Sequence, residues 1–312
     1  MKKIIASILF LVTIATTVPL APLGASGATT AITATTATDP SLIDQKADRI
    51  VNTAIDLIGK ATYSSTVYKD TYPYQFGCAG FTYFVFKQNG IDMATRSTLR
   101  QSLLGEYVPK DQLKKGDLVF FDSNPNDSYP VTHVGIYIGD NKIVHMADPR
   151  NNVIISDLDS KSYYRDYYKT ARRIIPSYMP TSQLTAGDKI VASAEELMGK
   201  VQFGSPYNES TLTFNSPEFI YYIYKMNGFN LPTKMATEMA ALGDYVPKDQ
   251  LQKGDLVFFS TEANSSKISL VAIYTGNSQI IINAGSSTDV VKRLLTNDYY
   301  QSHYVTARRI LQ

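Results

Sequence analysis

This chain of 312 residues has one cysteine, three histidines and no tryptophan. A single cysteine cannot form an internal disulfide, which excludes a disulfide-stabilised fold. An excess of charge of one sign is also lacking, since 30 basic residues face 28 acidic ones. A balanced charge gives no electrostatic basis for binding nucleic acid or anionic lipid. We therefore expect no nucleic-acid partner.

A long apolar run occurs only at the beginning of the chain. Two lysines precede an apolar stretch from Ile4 to Ala21, and small residues follow up to Ala28. This pattern is typical of a secretory signal peptide, which we predict over residues 1–28, before an Ala/Thr-rich leader over 29–41. A retained membrane anchor is the disfavoured alternative, because threonines and Pro19 interrupt the stretch. We expect a protein that is secreted or held in the cell wall, with no membrane partner after cleavage.

The chain repeats itself. The run YVPKDQLKKGDLVFF, from Tyr107 to Phe121, returns from Tyr245 to Phe259 with one difference in fifteen positions. Repeats of this length are typical of tandem domains, because a solenoid uses shorter units. We predict one domain over 42–176, a linker over 177–187 and a second domain over 188–312.

Each repeat is predicted to be α+β, with helices followed by a small antiparallel sheet. Apolar residues recur every three or four positions from Leu42 to Lys60, with Ser41 as the N-cap. A second helix is predicted from Cys78 to Asn89, and Gly90 should end it. The tyrosine-rich segment Tyr163–Tyr168 favours a strand or edge packing. The predicted strands are Asp117–Asp122, His133–Gly139, Lys142–Ala147, Val153–Ser156 and Tyr168–Ile175.

The scarce reactive side chains are concentrated in the first repeat. Cys78 begins a predicted helix, and His133 and His145 follow on an apparent hairpin. One thiol and two imidazoles in this order are the components of a cysteine hydrolase with a base and a group that orients it. Because a helix start and a nearby imidazole both favour the thiolate, we expect a Cys78 pKa well below the ordinary value.

The loop between the two histidines decides whether they share a face of the sheet. A three-residue loop at Asp140–Lys142 puts His133 and His145 on one face, whereas a two-residue turn would put them on opposite faces. The expected register leaves them about four residues apart along the strands, on the order of 13 Å. A bulge or strong twist is then needed to bring them together.

The second repeat keeps the scaffold and lacks these three side chains. Neither leucine nor isoleucine can accept a proton, so we predict that the second repeat is inactive. At the position of the nucleophile, Ser216 replaces Cys78. At the positions of the base and the orienting group, Leu270 replaces His133 and Ile282 replaces His145.

Residues 42–176 resemble the NlpC/P60 family of papain-like cysteine peptidases. The resemblance implies that Cys78 is the nucleophile, that His133 is the general base and that His145 orients it. It also implies a cofactor-free enzyme that cleaves peptidoglycan stem peptides between D-γ-glutamate and the following diamino acid. The shared elements, in family order, are Tyr63, FGCAGF, an Arg–x–Thr–x–x–Gln pattern formed by Arg96, Thr98 and Gln101, then Gly105, KKGDLVFF, HVGIYIG and VHMA.

By the same resemblance, Tyr63, Arg96 and Gln101 are expected to bind the substrate. Gly77 departs from the family, which usually has an aspartate there that serves the substrate's free amino end and the helix cap. An amidase or acyltransferase on the same scaffold is an alternative, as is a non-catalytic cell-wall-binding protein. A zinc site made of the single cysteine and the two histidines is a further alternative by residue type, although close-spaced ligands are lacking. The sequence does not determine the oligomeric state.

Overall fold

The computed structural model describes residues 40–124, 130–179, 184–285 and 289–311. The predicted signal peptide lies outside these residues, as do most of the predicted leader and residues 180–183 of the predicted linker. In the part of the chain that is described, no helix is both long enough and apolar enough to cross a membrane.

The first repeat places its main helices before a six-stranded antiparallel sheet, as predicted. The sheet has the strand order β3-β8-β4-β5-β6-β7, and a separate parallel pair joins β1 to β2. The helices are α1 (Pro40–Ile55), α2 (Cys78–Gln88), α3 (Thr98–Gln101), α4 (Ser162–Asp166) and α5 (Ile175–Tyr178). The strands are β1 (Ala61–Tyr63), β2 (Tyr74–Phe76), β3 (Glu106–Tyr107), β4 (Leu118–Phe121), β5 (His133–Gly139), β6 (Lys142–Met146), β7 (Val153–Asp157) and β8 (Tyr168–Arg173).

The predicted helix boundaries need correction at α1 and hold at α2. Ser41 lies inside α1 rather than capping it. The helix ends at Ile55, five residues before the predicted Lys60, and turns follow in which Gly59 has a φ of 74°. Gly90 ends α2 as predicted, with a φ of 78° that suits glycine. The helix α4 contradicts the strand prediction for Tyr163–Tyr168, of which only the last residue begins a strand.

The main core of the first repeat lies between the helices and one face of the sheet. Buried residues of α1 and α2, such as Ile50 and Phe81, pack with Phe120 of β4 and Val144 of β6. A smaller cluster around Phe121 and Tyr164 covers the opposite face. The helix α2, which begins at Cys78, packs against β5, which begins at His133.

The second repeat reproduces this architecture. Its sheet has the strand order β11-β16-β12-β13-β14-β15, and a parallel pair joins β9 to β10. The helices are α6 (Ala186–Glu196), α7 (Ser216–Met226), α8 (Ala236–Met239) and α9 (Asp298–His303). The strands are β9 (Gln202–Phe203), β10 (Thr213–Phe214), β11 (Asp244–Tyr245), β12 (Leu256–Phe259), β13 (Leu270–Gly276), β14 (Gln279–Asn283), β15 (Val290–Leu294) and β16 (Tyr304–Arg309).

The two repeats belong to one compact unit and contact each other directly. Leu294 of β15 is buried in the main core cluster of the first repeat. The side chain of Gln279 donates hydrogen bonds to the carbonyl of Asp92 at 3.0 Å and to the hydroxyl of Tyr178 at 2.9 Å. Arg100 of α3 donates to the carbonyl of Thr296 at 2.7 Å. The second repeat therefore packs against α3 of the first repeat.

Candidate active site

Cys78 is the first residue of α2 and lies in an open cleft. Its N-cap, Gly77, has an extended backbone and no side chain to bond the first helical N–H groups. A Cβ atom at Gly77 would lie only 3.1 Å from the carbonyl oxygen of Ser64, so the Ser64 turn leaves little room for an aspartate. The cleft has a volume of 440 Å³, and Tyr63, Ser64 and Arg96 also line it.

The thiol of Cys78 is surrounded by polar groups and is also largely removed from water. Its sulfur lies 3.9 Å from the hydroxyl oxygen of Thr98, and the N–H of Val134 favours the thiolate form. Burial raises the pKa of the Cys78 thiol, while Thr98 and the Val134 N–H act in the opposite direction. The predicted lowering of this pKa is therefore wrong for the substrate-free site, because the cost of burying a thiolate exceeds these local gains.

The hairpin that carries the two histidines differs from the predicted one. Gly139 pairs with Lys142, so the turn contains two residues, Asp140 and Asn141, both with positive φ. A bulge between Tyr137 and Gly139 shifts the register and restores the shared face. The predicted three-residue loop is wrong, whereas the predicted need for a bulge is confirmed.

The bulged register brings the two imidazoles into direct contact. His133 Nε2 lies 2.8 Å from His145 Nδ1, and the rings are nearly perpendicular at 83°. Gly135 makes room for this contact, because a Cβ atom there would lie 3.1 Å from the Cβ of His145. His133 is 8% exposed and His145 is 1% exposed. The two imidazoles thus form a buried pair. His133, the more exposed of the two, directly precedes Val134, whose N–H favours the Cys78 thiolate.

Both histidines are favoured in their neutral form. Burial lowers the pKa of His133 to about 4. Burial, followed by the proximity of His133, lowers the pKa of His145 to about 3. In the substrate-free site at neutral pH, a neutral thiol therefore accompanies two neutral imidazoles.

Two of the three predicted substrate-binding residues line the cleft, and the third does not. Tyr63 lines it at the end of β1, and the guanidinium of Arg96 lies 4.1 Å from the centre of the Tyr68 ring. Gln101 is fully buried. It accepts a hydrogen bond from Thr82 at 2.8 Å and donates one to the carbonyl of Ala79 at 2.9 Å. The expected role of Gln101 in substrate binding is corrected to that of joining α3 to α2.

Several residues at this site were missed in the sequence. Ser156 and Tyr164 contact His145, and Thr98 contacts Cys78. Thr98 belongs to the Arg–x–Thr–x–x–Gln pattern, so a signal existed for it. Ser156 ends a predicted strand and Tyr164 lies in a tyrosine-rich segment, and neither pattern indicates a neighbouring histidine.

The equivalent positions of the second repeat are occupied by structural contacts. The Ser216 hydroxyl donates to the carbonyl of Val271 at 2.9 Å and accepts from the Val271 N–H at 3.1 Å. Ile282 is 1% exposed within an apolar cluster that Leu270 also contacts. His303 is the last residue of α9 and stacks on Tyr299 of the same helix, whereas Ser216 begins α7.

Comparison with known proteins gives matches to both repeats. The sequence model of the NlpC/P60 family matches residues 64–173 and 202–309. The chain is 30% identical over 269 residues to the gamma-DL-glutamyl hydrolase of Bacillus subtilis, covering 85% of this chain and 61% of that protein. It is 34% identical over 130 residues to the gamma-D-glutamyl-L-lysine dipeptidyl-peptidase of Bacillus cereus, covering 42% of this chain and 37% of that protein.

A third relative and a solved structure extend these matches. The murein DD-endopeptidase MepH of Escherichia coli is 32% identical over 132 residues, covering 39% of this chain and 48% of that protein. The chain thus spans between about one third and two thirds of the length of these relatives. A crystal structure of an NlpC/P60 family protein from Bacillus cereus matches with a TM-score of 0.38 and 18% identity, covering 62% of this chain and 60% of that one. Because the family model covers most of the chain in two segments, the protein belongs to the NlpC/P60 family and carries that family's domain twice.

Proposed function

We propose that the first repeat is a cysteine peptidase that hydrolyses γ-glutamyl bonds of peptidoglycan stem peptides, with Cys78, His133 and His145 as its catalytic residues. The observation that carries the proposal is the buried contact between His133 and His145, together with a thiol at an uncapped helix start that is influenced by the N–H of Val134, the residue after His133. A thiol, a base and a group that orients the base are the requirements of nucleophilic acyl transfer.

The first step is attack of the Cys78 sulfur on the scissile carbonyl carbon. His133 Nε2 is occupied by His145, so Nδ1 is the nitrogen free to take the thiol proton. As the carbon–sulfur bond forms, the carbonyl π electrons move to oxygen, and the N–H groups at the start of α2 favour that negative charge. When the carbonyl reforms, the carbon–nitrogen bond breaks, and the departing amine takes the proton from His133 Nδ1.

The second step is hydrolysis of the resulting thioester. His133 Nδ1 takes a proton from water while the water oxygen bonds to the carbonyl carbon. The carbon–sulfur bond then breaks, the carboxylic acid product leaves, and the sulfur recovers its proton from His133. His145 keeps the His133 ring in place through both steps, which is the role of the third member of a triad.

The choice of bond is supported by the relatives. One of them is named for the γ-D-glutamyl–L-lysine bond, and another is a murein endopeptidase. A γ-linked glutamate carries a free α-carboxylate on the residue whose side-chain carbonyl is cleaved. Among the described residues that line the Cys78 cleft, Arg96 carries a positive charge and none carries a carboxylate. The cleft is therefore suited to a substrate residue with a negative group.

A second candidate substrate is a γ-linked polymer of D- and L-glutamate. Gly77 and the close Ser64 carbonyl leave no aspartate to receive a free amino end, and a polymer cleaved internally presents no such end. A relative that matches over 85% of this chain is named a gamma-DL-glutamyl hydrolase. This candidate uses the same catalytic residues and differs only in the chain that the cleft binds.

One digestion experiment tests both substrates. The mature protein and its Cys78→Ala variant are incubated with purified peptidoglycan and, separately, with γ-linked DL-glutamate polymer, and the products are identified by mass spectrometry. Fragments that end at D-γ-glutamate support the first candidate, and shortened polymer supports the second. Products in which an added amine replaces water would instead indicate an acyltransferase, and release of stem peptides from the glycan would indicate an amidase. Failure of the protein to cleave either substrate would refute the proposal.

The location of the protein is part of the proposal. We infer that it acts outside the cell, at the wall, because the first 28 residues have the pattern of a signal peptide. Mass spectrometry of protein recovered from the culture medium and the wall should find a mature N-terminus near Ala25–Ala28. An unprocessed chain confined to the cytosol would contradict this inference.

A further inference from the structure

The His145 ring contacts two hydroxyl groups on the side opposite His133. Its Nε2 atom lies 3.1 Å from the Ser156 hydroxyl oxygen and 3.1 Å from the Tyr164 hydroxyl oxygen. These two oxygens are 3.2 Å apart, so the three atoms form a closed triangle. Ser156 is 4% exposed and Tyr164 is 6% exposed. The far nitrogen of His145 is therefore bonded by buried protein groups.

Counting protons shows what these hydroxyls do during catalysis. When His133 has taken the thiol proton, both of its ring nitrogens carry hydrogen. Its Nε2–H then donates to His145 Nδ1, which must be unprotonated to accept it. A neutral His145 therefore carries its own proton on Nε2, where the oxygens of Ser156 and Tyr164 are the acceptors within hydrogen-bonding distance.

In the second repeat, the equivalent of Ser156 is changed along with the three catalytic positions, whereas the equivalent of Tyr164 is kept. In the register of β7 with β6, Ser156 pairs with Ile143, and the equivalent pair in the second repeat is Arg293 with Ile280. The equivalent of Tyr164 remains a tyrosine, Tyr300, which is 7% exposed and packs on Phe259. The aromatic ring therefore serves the fold in both repeats. The serine hydroxyl is kept only in the repeat that has a histidine to contact.

We propose that Ser156 and Tyr164 are positioning residues that hold the proton of His145 on Nε2, and so keep its Nδ1 free to accept the Nε2–H of His133. The catalytic role of the two hydroxyls rests on the proposed function, whereas the position of the proton on His145 is independent of it. The serine and tyrosine do not touch the substrate. They act through His145 on the base, in the way that an orienting group fixes the tautomer of a catalytic histidine.

The placement of the proton can be measured without a substrate. Only three histidines are present, so protein labelled with ¹⁵N-histidine gives three ring spectra, and a His303→Asn variant identifies the second-repeat ring. In the wild type at pH 7, we expect His145 and His133 to be protonated on Nε2. In a Ser156→Ala/Tyr164→Phe double variant, the Nε2–H of His145 loses both acceptors. We therefore expect the proton of each ring to move to Nδ1.

Kinetics supply the matched control. The double variant should lose about tenfold to a hundredfold in kcat, the range expected when a buried N–H loses its acceptors. KM should change little, because neither hydroxyl reaches the substrate. Tyr300→Phe removes the same atom from the same position of the second repeat, so it should leave kcat unchanged. Ser156→Ala alone and Tyr164→Phe alone each keep one of the two hydroxyls, so each should lose less kcat than the double variant.

The outcomes separate this inference from the proposed function. Identical tautomers in the wild type and the double variant would overturn the inference, whatever the enzyme cleaves. A kcat loss in Tyr300→Phe as large as in Tyr164→Phe would also overturn it, because the effect would then be structural. If the wild type cleaved no γ-glutamyl substrate but the tautomers changed as expected, the proposed function would fail and the proton placement would stand.

Discussion

The helices α2 and α7 occupy the same place in the two repeats, and they begin in opposite ways. In the second repeat, Asn215 and Glu218 form a capping box, with hydrogen bonds of 3.0 and 2.9 Å that satisfy each other's backbone N–H. In the first repeat, Gly77 provides no side-chain cap. Glycine at the N-cap instead of asparagine costs only about a few tenths of a kcal/mol of stability. At this helix start in the first repeat, no cap side chain competes for the backbone N–H groups, which can then serve a reaction.

The first residue of each helix shows the same contrast. Ser216 is 2% exposed and joins α7 to β13 through both backbone groups of Val271. The N–H of Val134, the equivalent of Val271, favours the thiolate of Cys78, and Cys78 remains partly exposed to the cleft. The same backbone position thus serves as a structural crosslink in one repeat and as an accessible thiol in the other. The comparison distinguishes what the fold needs from what the chemistry needs.

The largest expected effect comes from removing the Cys78 thiol, and the matched change removes the Ser216 hydroxyl. Cys78→Ala should abolish hydrolysis and leave the thermal midpoint nearly unchanged, because the thiol makes only weak contacts. Ser216→Ala should leave hydrolysis unchanged and lower the free energy of unfolding by about 1–3 kcal/mol, since two buried backbone groups lose their partner. Product release measured by mass spectrometry and urea titration measured by circular dichroism check both halves.

A Cys78→Ala protein with normal activity would show that the nucleophile lies elsewhere. The reciprocal change sharpens the comparison. Ser216→Cys in the Cys78→Ala background should not restore hydrolysis, because Leu270 and Ile282 cannot accept a proton. Activity in that variant would refute the view that the second repeat is inactive.

The sequence predicted the catalytic candidates better than it predicted how they meet. Residue type and order pointed to Cys78, His133 and His145, and periodicity placed α2 and the strands β5 and β6. The contact between the histidines depends on a bulge near Ile138, and alternation of apolar residues does not reveal where a strand gains a residue.

The second expected effect is a loss of stability in acid that belongs to the first repeat. The pKa of His133 is about 4 and that of His145 about 3 in the fold, against about 6.5 in an unfolded chain. As the pH falls below about 6.5, the unfolded chain binds protons that the folded protein does not, so stability decreases. The decrease should reach roughly 3 kcal/mol for each histidine by pH 4.

Exchanging residues between the repeats tests this assignment. A His133→Leu/His145→Ile variant carries the side chains of the second repeat and should lose less stability between pH 7 and pH 4. Cys78→Ala keeps both histidines and serves as the control, with the acid dependence of the wild type. Urea titrations across this pH range measure the difference. Equal slopes in all three proteins would mean that other groups cause the acid loss.

The third expected effect concerns the reactivity of the thiol before substrate binds. Since burial raises the pKa of Cys78, the midpoint of alkylation by iodoacetamide against pH should lie above the ordinary thiol value of about 8.5. Thr98→Val removes a group that favours the thiolate and should raise the midpoint further. A midpoint well below 8.5 would instead indicate a thiolate–imidazolium pair in the free enzyme.

The raised pKa also shows why position in the chain is a poor guide to electrostatics. A helix start and a nearby imidazole both favour a thiolate, and the sequence contains both signals. The degree of burial decides the balance, and it depends on how α2 and β5 pack. Gln101 illustrates the same limit, because its family pattern suggested a substrate contact while the packing of α3 buries it.

The smallest expected effect tests whether the second repeat helps the first one through α3. Arg100 donates to the Thr296 carbonyl at 2.7 Å and lies 3.4 Å from the Asp298 carboxylate. The same helix carries Thr98 beside the sulfur of Cys78. Arg100→Ala should therefore lower kcat/KM a few-fold, since a loosened α3 places Thr98 less accurately. Asp298→Asn removes only an exposed ion pair, which contributes little, and should have almost no effect. Steady-state kinetics on the full chain would show whether the two variants differ. Equal kcat/KM values for Arg100→Ala and the wild type would mean that the contact between the repeats serves stability alone, and that the inactive repeat does not support the active site through this helix.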